Sequence, residues 1–387
     1  MKKIVHVCVT APWSEIYAYQ ENLLPHYHRL MGHEVVVLAP VFTKIGDYTE
    51  NRAPVGESIL QDGIKVIRLA PLIDNGLLLA HMPLVRGLKS AILKESPDII
   101  FVHDVSCFNY RCLTSVKKKI PHVKIVFDNH SDYVNSLHSP ITRFLHKFIY
   151  RRFLLPKLID VAEKFYGVTP LRCDFLHEVY AIPMEKIELL VMGADDEAMR
   201  FDQKDMIRAK VRQQYGIGDD DFLIVSGGKI DLRKNIHVLA EAVAQSQCDH
   251  IKMLIFGSIH NDLKPYFAKL QSERIITIGW LPSQEVYRYF YASDIVMFPG
   301  LHSVLWEQAV ASQVPCAFNN IVGFDHVDYG GNCIFMDEKT TKYYQELIEK
   351  LYVDRDYYQL LLKNAHSDMS KLFLYSNISQ KVLDDLA

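Results

Sequence analysis

Short apolar, β-branched runs recur along the chain, separated by stretches long enough for helices. In the first half they are KIVHVCV (3–9), EVVVLAP (34–40), KVIRLAP (65–71), DIIFVHD (98–104), KIVFDNH (124–130), FYGVT (165–169) and IELLVMG (187–193). In the second half they are FLIVSGG (222–228), MLIFGS (253–258), IITIGW (275–280), DIVMFPG (294–300), CAFNN (316–320) and CIFMD (333–337). Near-continuous apolarity within a run predicts a strand buried on both faces, as in parallel sheets. Alternation with helical stretches predicts α/β units. The series halts around residues 196–220, which are polar and end in an acidic, glycine-containing turn. The pattern predicts two doubly wound α/β domains, 1–200 and 201–365, with a last helical segment, 366–387, packing back toward the first. A chain of 387 residues also exceeds what one core usually serves. In such sheets ligands bind beyond the carboxyl ends of the strands, and with two domains the cleft between them is the place to search.

Two stretches beyond predicted strands carry candidate chemistry. FLIVSGG runs into KIDLRKN and then the helical pattern IHVLAEAVA, so Lys229, Arg233 and Lys234 flank a turn at a helix N-terminus. Backbone N–H groups and the helix dipole favour an anion there, and lysine supplies point charges for phosphate. Solvated surface charge is the alternative reading. PGLHSVLWEQAVASQVP (299–315) follows another apolar run and holds one carboxylate, Glu307, beside Gln308. Glu307 is either a first-turn acid favoured by the dipole or a ligand acceptor.

Composition narrows the classes. A formal net charge of -3 gives no reason to expect a nucleic-acid partner. Among the 17 histidines, His26, His28 and His33 are not spaced like a zinc site, and no metal is expected. Seven scattered cysteines without a CxxC, and a start that runs directly into a strand, suggest a reducing cytoplasm. No run approaches the roughly 18 apolar residues of a membrane span. The stretch SPITRFLHKFIYRRFLLPKLI (139–159) does mix aromatic and basic residues as a membrane-surface helix would. The same pattern is met by a helix packed on the sheet with its charges in water.

The chain resembles the GT-B glycosyltransferases, especially the retaining family 4 group. GKIDLRKN is similar to the family's G-R-x-x-x-x-K-G motif, with Gly228 and Lys229 on the Gly-Arg pair and Lys234 on the lysine. IITIGWLPSQEVYRYFYASDIVMFPG resembles the run that places a turn, here Gly279 and Trp280, against the nucleotide base. VGFDHVDYGGNCIFMD resembles the segment with an acidic residue at Asp325. MGHEVVVLAP, PDIIFVHD, KIVFDNHSD and EKIELLVMGADDEAMRF resemble N-terminal family segments, so the likeness spans nearly the whole chain. It departs in WSEIYAYQEN, which lacks the glycine pair usual after strand one, and in 299–315, where the family's pair of glutamates eight residues apart is not intact.

The resemblance implies two Rossmann-like domains facing a central cleft and transfer of a sugar from a UDP- or GDP-sugar to a hydroxyl, with retention. The acceptor would be a saccharide or a lipid-linked one, in surface polysaccharide or glycolipid synthesis. No cofactor is implied beyond the donor itself. Lys229 and Lys234 would stabilise the departing diphosphate, and His130 would position the donor sugar. Gly228, Arg233, Trp280 and the amides of Ser303, Val304 and Leu305 would line the nucleotide, with Glu307 or Gln308 on the ribose. His103 and Asp104 would line the acceptor side. The location implied is cytoplasmic, with peripheral contact to the inner face of the plasma membrane through 139–159. A nucleotide-sugar epimerase and a non-catalytic binding partner of the same fold are the alternatives. A nicotinamide oxidoreductase is disfavoured by the missing G-x-G-x-x-G after the first strand.

Overall fold

Valine, isoleucine and phenylalanine suit a pleated surface covered on both sides, and each apolar run forms a strand. The computed structural model describes residues 1–45, 49–72 and 84–387. They divide into two compact units, Met1–Val191 with Ile378–Ala387, and Met192–Asn377.

The first unit contains β1 (Lys3–Val7), β2 (Glu34–Pro40), β3 (Phe42–Ile45), β4 (Thr49–Arg52), β5 (Gly56–Ile59), β6 (Lys65–Leu69), β7 (Ile99–Val102), β8 (Lys124–Asn129), β9 (Lys164–Gly167) and β10 (Ile187–Leu189). Its main sheet runs β10-β9-β8-β7-β1-β2-β6-β5, parallel except for the β5–β6 edge. From β1 the chain builds outward through β2 and β6, then returns to place β7 on the other side of β1. That reversal is the switch point of a doubly wound sheet, where strand ends leave a crevice.

The second unit contains β11 (Phe222–Ile230), β12 (Ile251–Ile259), β13 (Ile275–Gly279), β14 (Ile295–Phe298), β15 (Cys316–Asn319) and β16 (Cys333–Met336). All six are parallel in the order β13-β12-β11-β14-β15-β16, so its switch point lies between β11 and β14. Asp294, just before β14, accepts from Arg208 (2.6 Å), Arg212 (3.1 Å) and the Leu223 amide (2.7 Å), tying helix Lys204–Gln214 to the sheet.

Three differences from the sequence pattern have physical causes. The division falls at Val191, ahead of residue 200, because the segment after it packs on the second unit: the Asp195 amide donates to Tyr287 Oη at 3.0 Å. Of the last segment, Ile378–Ala387 join the first unit, where Lys381 pairs with Glu188 (2.9 Å) and Tyr166 Oη donates to Asp385 (2.9 Å). Strands β3, β4 and β5 read FTKI, TENR and GESI, too polar to be predicted, and β5 is an exposed edge.

Helix Pro140–Phe144 continues into a wider, π-type turn series, Leu145–Leu154. It has two faces. Tyr150, Leu154, Leu155 and Leu158 are buried in the core, while Ile141, Phe144, Phe148 and Phe153 are exposed among Arg143, Lys147, Arg151, Arg152 and Lys157. No helix among the described residues is long and apolar enough to cross a membrane.

Candidate functional site

At the β11–β14 switch point the backbone is drawn tight. Gly228 has φ 105°, and a Cβ there would lie 3.0 Å from Leu305 Cδ1; a Cβ on Gly300 would lie 2.3 Å from Lys234 Cα. Only glycine permits this approach. It brings loop 299–304, the start of helix Leu305–Ala311 and the turn after β11 together at the strand ends. Lys234 Nζ donates to Leu301 O at 2.6 Å and His302 O at 3.5 Å, and Asn235 Nδ2 donates to Pro299 O at 3.1 Å. Burial pushes the Lys234 ammonium down to about 8, and one of its three N–H groups remains for an anion. Lys229 lies near the end of β11, which runs on to Ile230, and so flanks the turn; it is exposed, and its side chain makes no hydrogen bond or ion pair among the described residues. Arg233 does not join this group. Its guanidinium folds back on Asp231 at 2.6 Å and is 71% exposed. Trp280 is exposed at the end of β13, after Gly279 with φ 78°.

Glu307 is fully buried. Its Oε1 accepts from His302 Nε2 (2.8 Å) and His326 Nε2 (2.9 Å), while Oε2 is buried and without a partner among the described residues. Burial would raise its pKa, but the two imidazoles outweigh that and bring it down to about 2. These three side chains are also the ones whose ligand atoms lie within 4.8 Å of one another, a set that could hold a divalent ion. Tetrahedral zinc with bonds of about 2.0–2.1 Å would hold its ligand atoms roughly 3.3 Å apart. The shorter contacts fit two N–H donors directly on a carboxylate oxygen. Gln308 is buried beside it. A cavity of about 600 Å³ elsewhere in this unit, lined by Met199, Arg200, Met206, Lys210, Arg288 and Tyr291, includes none of the expected donor residues.

In the first unit the β1–β7 switch point holds a chain of buried side chains. Asp128, at the end of β8, accepts from His103 Nδ1 (2.8 Å), Gln20 Nε2 (3.2 Å) and the Asp104 amide (2.9 Å). His130 Nε2 stands 3.5 Å from the same carboxylate. Behind His103, its Nε2 meets His6 Nδ1 at 3.1 Å, His6 Nε2 meets His28 Nδ1 at 3.0 Å, and His28 Nε2 meets Ser379 O at 3.2 Å. Burial opposes ionisation of Asp128, yet His103 and His130 hold its carboxyl far below the usual range. Burial would lower His130, but Asp128, aided by Glu21 and opposed by Arg172, holds it above its ordinary value.

The comparisons with known proteins agree with this architecture. A family model described as Glycosyltransferase Family 4 matches residues 18–198, and one described as Glycosyl transferases group 1 matches residues 207–368. The chain is a GT-B glycosyltransferase of the family 4 type. This glycosyltransferase is similar to the uncharacterized glycosyltransferase MJ1607 of Methanocaldococcus jannaschii, at 18% identity over 91% of this chain and 89% of that one. Its fold is shared by Anabaena HepE, solved with UDP (13% identity, 100% of this chain, 99% of that chain, TM-score 0.70) and with UDP-glucose (14% identity, 100% and 99%, TM-score 0.64). The UDP-GlcNAc 2-epimerase of Neisseria meningitidis, bound to UDP-GlcNAc, has the same fold at 14% identity, covering 99% of each chain with a TM-score of 0.61.

Within this glycosyltransferase, Gly228, Lys234, Ser303, Val304, Leu305 and Glu307 come together. His103 is corrected: both ring nitrogens are engaged inside the protein, so it presents neither to an acceptor. Asp104, in a left-handed turn with φ 67°, spends Oδ1 on Val105 N, Ser106 N and Ser106 Oγ. His6, His28, Asp128, His302 and His326 were not foreseen as site residues. A polar residue inside a continuous apolar strand, His6 in KIVHV and Asp128 in KIVFDN, was the available signal.

Proposed function

We propose that this glycosyltransferase takes its sugar from a nucleoside diphosphate sugar, with UDP or GDP as carrier, and passes it to a hydroxyl acceptor with retention. The observation that carries the reading is the close approach of Gly228, Lys234 and loop 299–304 at the switch point of the second unit. The UDP and UDP-glucose complexes of a protein with the same fold support it.

The chemical difficulty is negative charge growing on the leaving diphosphate while the anomeric carbon becomes cationic. Lys229 and Lys234 with the amides of Ser303, Val304 and Leu305 meet that charge, so no metal ion is invoked. Glu307 keeps one oxygen unspent, Oε2, and we assign it to a ribose hydroxyl, with Gln308 as its neighbour. Trp280 offers an exposed aromatic surface beside the base. His130 contacts the donor sugar. The acceptor is a saccharide or lipid-linked molecule of surface polysaccharide or glycolipid synthesis, met at the inner face of the plasma membrane through the basic, aromatic face of 139–159.

A panel of nucleotide sugars assayed for nucleoside diphosphate release with acceptors tests the reading. Lys234→Ala is expected to lower kcat by about 10²-fold or more, as removal of one transition-state donor does, with an unchanged far-UV spectrum. Wild-type turnover in that variant overturns the assignment. Interconversion of the sugar without acceptor replaces transfer with epimerisation.

A further inference from the structure

The relay behind Asp128 ends on a backbone carbonyl, and that fixes its protons. Ser379 O can only accept, so His28 carries hydrogen on Nε2. If His28 and His6 are neutral, each then has a bare Nδ1 that must accept from the next ring, which puts hydrogen on His6 Nε2 and on His103 Nε2. A neutral His103 would then set a bare Nδ1 against Asp128 Oδ2 at 2.8 Å, lone pair against lone pair. The three rings therefore carry one proton beyond neutrality whenever Asp128 is ionised. Moving that proton to His6 or His28 also satisfies the bonds, but burial pushes both away from charge, His28 to about 3. Asp128 is ionised, because Gln20 and the Asp104 amide donate to it as well. The relay as a whole carries the extra proton, and His103 donates from Nδ1 to Asp128.

Among the described residues, His130 is the side chain against Asp128 that also reaches solvent, being 33% exposed with Nε2 buried against the carboxylate. The exposed part of the ring carries Nδ1. We propose that Asp128 is a positioning residue that holds His130 in the Nε2–H tautomer, so that Nδ1 faces the donor sugar as a hydrogen-bond acceptor. The His28–His6–His103 relay donates to the same carboxylate, and above its raised pKa His130 is neutral and keeps the hydrogen on Nε2. The 3.5 Å separation is long for a hydrogen bond, as catalytic contacts often are before substrate closes the site. The proposal rests on the reading that His130 touches the donor.

Asp128→Asn separates positioning from mere packing. Asparagine keeps the shape, its Oδ1 still accepts from the Asp104 amide, and its Nδ2 donates to His103 Nδ1, so the relay no longer needs its extra proton. One of the two Nδ2 hydrogens goes to His103; Gln20 turns its amide so that Oε1, buried and unpartnered in the wild type, shares the other with His130 Nε2. The N–H now facing His130 Nε2 forces that ring into the Nδ1–H tautomer, turning the acceptor offered to the sugar into a donor. Histidine ¹⁵N NMR on the full chain is expected to show His130 protonated at Nε2 in the wild type and at Nδ1 in the variant. kcat should fall about 10²-fold or more with little change in donor KM, as when a wrong tautomer is imposed on a catalytic histidine. In a His130→Ala background Asp128→Asn should cost nothing further. An Nδ1–H tautomer of His130 in the wild type, or an equal loss in both backgrounds, overturns the proposal. If Asp128→Asn does not fold, the wild-type spectrum alone decides. If His130→Ala turns over normally, the donor-contact reading has failed, and the spectra still report whether Asp128 sets the tautomer.

Discussion

Asp128 and Glu307 are both fully buried carboxylates flanked by two histidines, one at the switch point of each unit. They differ in what is left over. Asp128 accepts on both oxygens, and its histidine relay is anchored to a carbonyl that dictates every proton behind it. Glu307 accepts twice on Oε1 and not at all on Oε2, and His326 donates from Nε2 with its buried Nδ1 unpartnered. A saturated carboxylate organises the groups around it. A half-saturated one retains capacity for a ligand, because a buried oxygen without a donor is costly until something fills it.

The largest effect should come from emptying the saturated site. Asp128→Ala leaves His103, Gln20 and the Asp104 amide without their buried acceptor, a loss of about 3–5 kcal/mol by the measure of broken buried pairs. Urea denaturation followed by circular dichroism checks it. A loss equal to that of Glu307→Ala would erase the distinction between the two carboxylates. At Glu307 the conservative change is more informative. Glu307→Gln keeps an acceptor for both imidazoles and replaces Oε2 with unpartnered N–H groups, for a loss of about 1–3 kcal/mol. It also alters the acid limb. Glu307 has a folded pKa of about 2 against 4.5 ordinarily, so its contribution is complete above pH 4.5 and is lost as pH falls toward 2. The variant should unfold less steeply across that interval, and its nucleoside diphosphate Kd should rise if Oε2 holds the ribose. An unchanged Kd returns Glu307 to a purely structural role.

Lys234 gives a further contrast in pH. Its ammonium is charged below about 8 and loses the proton above, so diphosphate affinity should fall as pH rises through that value. Calorimetric titration of UDP and GDP between pH 7 and 9 measures it, and a Lys234→Arg variant should hold its affinity across the range because guanidinium stays charged.

Strands buried on both faces were readable because their apolarity is continuous; β3, β4 and β5 were not, since an exposed edge asks little of its side chains. The second-unit site was readable through motif spacing, for the glycines and Lys234 do work that only those residue types can do at that approach. Arg233 looked equivalent to Lys234 in sequence. Asp231, two residues earlier, captures it, and no spacing rule reveals such a local pairing. The relay joins His6, His28, His103, Asp128 and Ser379, which are scattered along the chain, so only the β1–β7–β8 register brings it into being.

The smallest effect on stability should come from the surface that neither carboxylate governs. Phe144, Phe148 and Phe153 are 58%, 50% and 51% exposed, so removing one costs the fold little, within about 0.5 kcal/mol. Their worth lies in what they could enter. A ring moved from water into the acyl boundary gains roughly 1.5–3 kcal/mol, and each nearby Arg or Lys adds about 1 kcal/mol at an anionic surface. Phe148→Ser should therefore weaken sedimentation with phosphatidylglycerol vesicles by about tenfold or more, while its melting temperature and its turnover of a soluble acceptor stay unchanged. Binding that is equal on neutral and anionic vesicles, or indifferent to Phe148, would leave this face as ordinary solvated helix. The effect would then belong to packing alone, as it does for Tyr150, Leu154 and Leu158 on the opposite side.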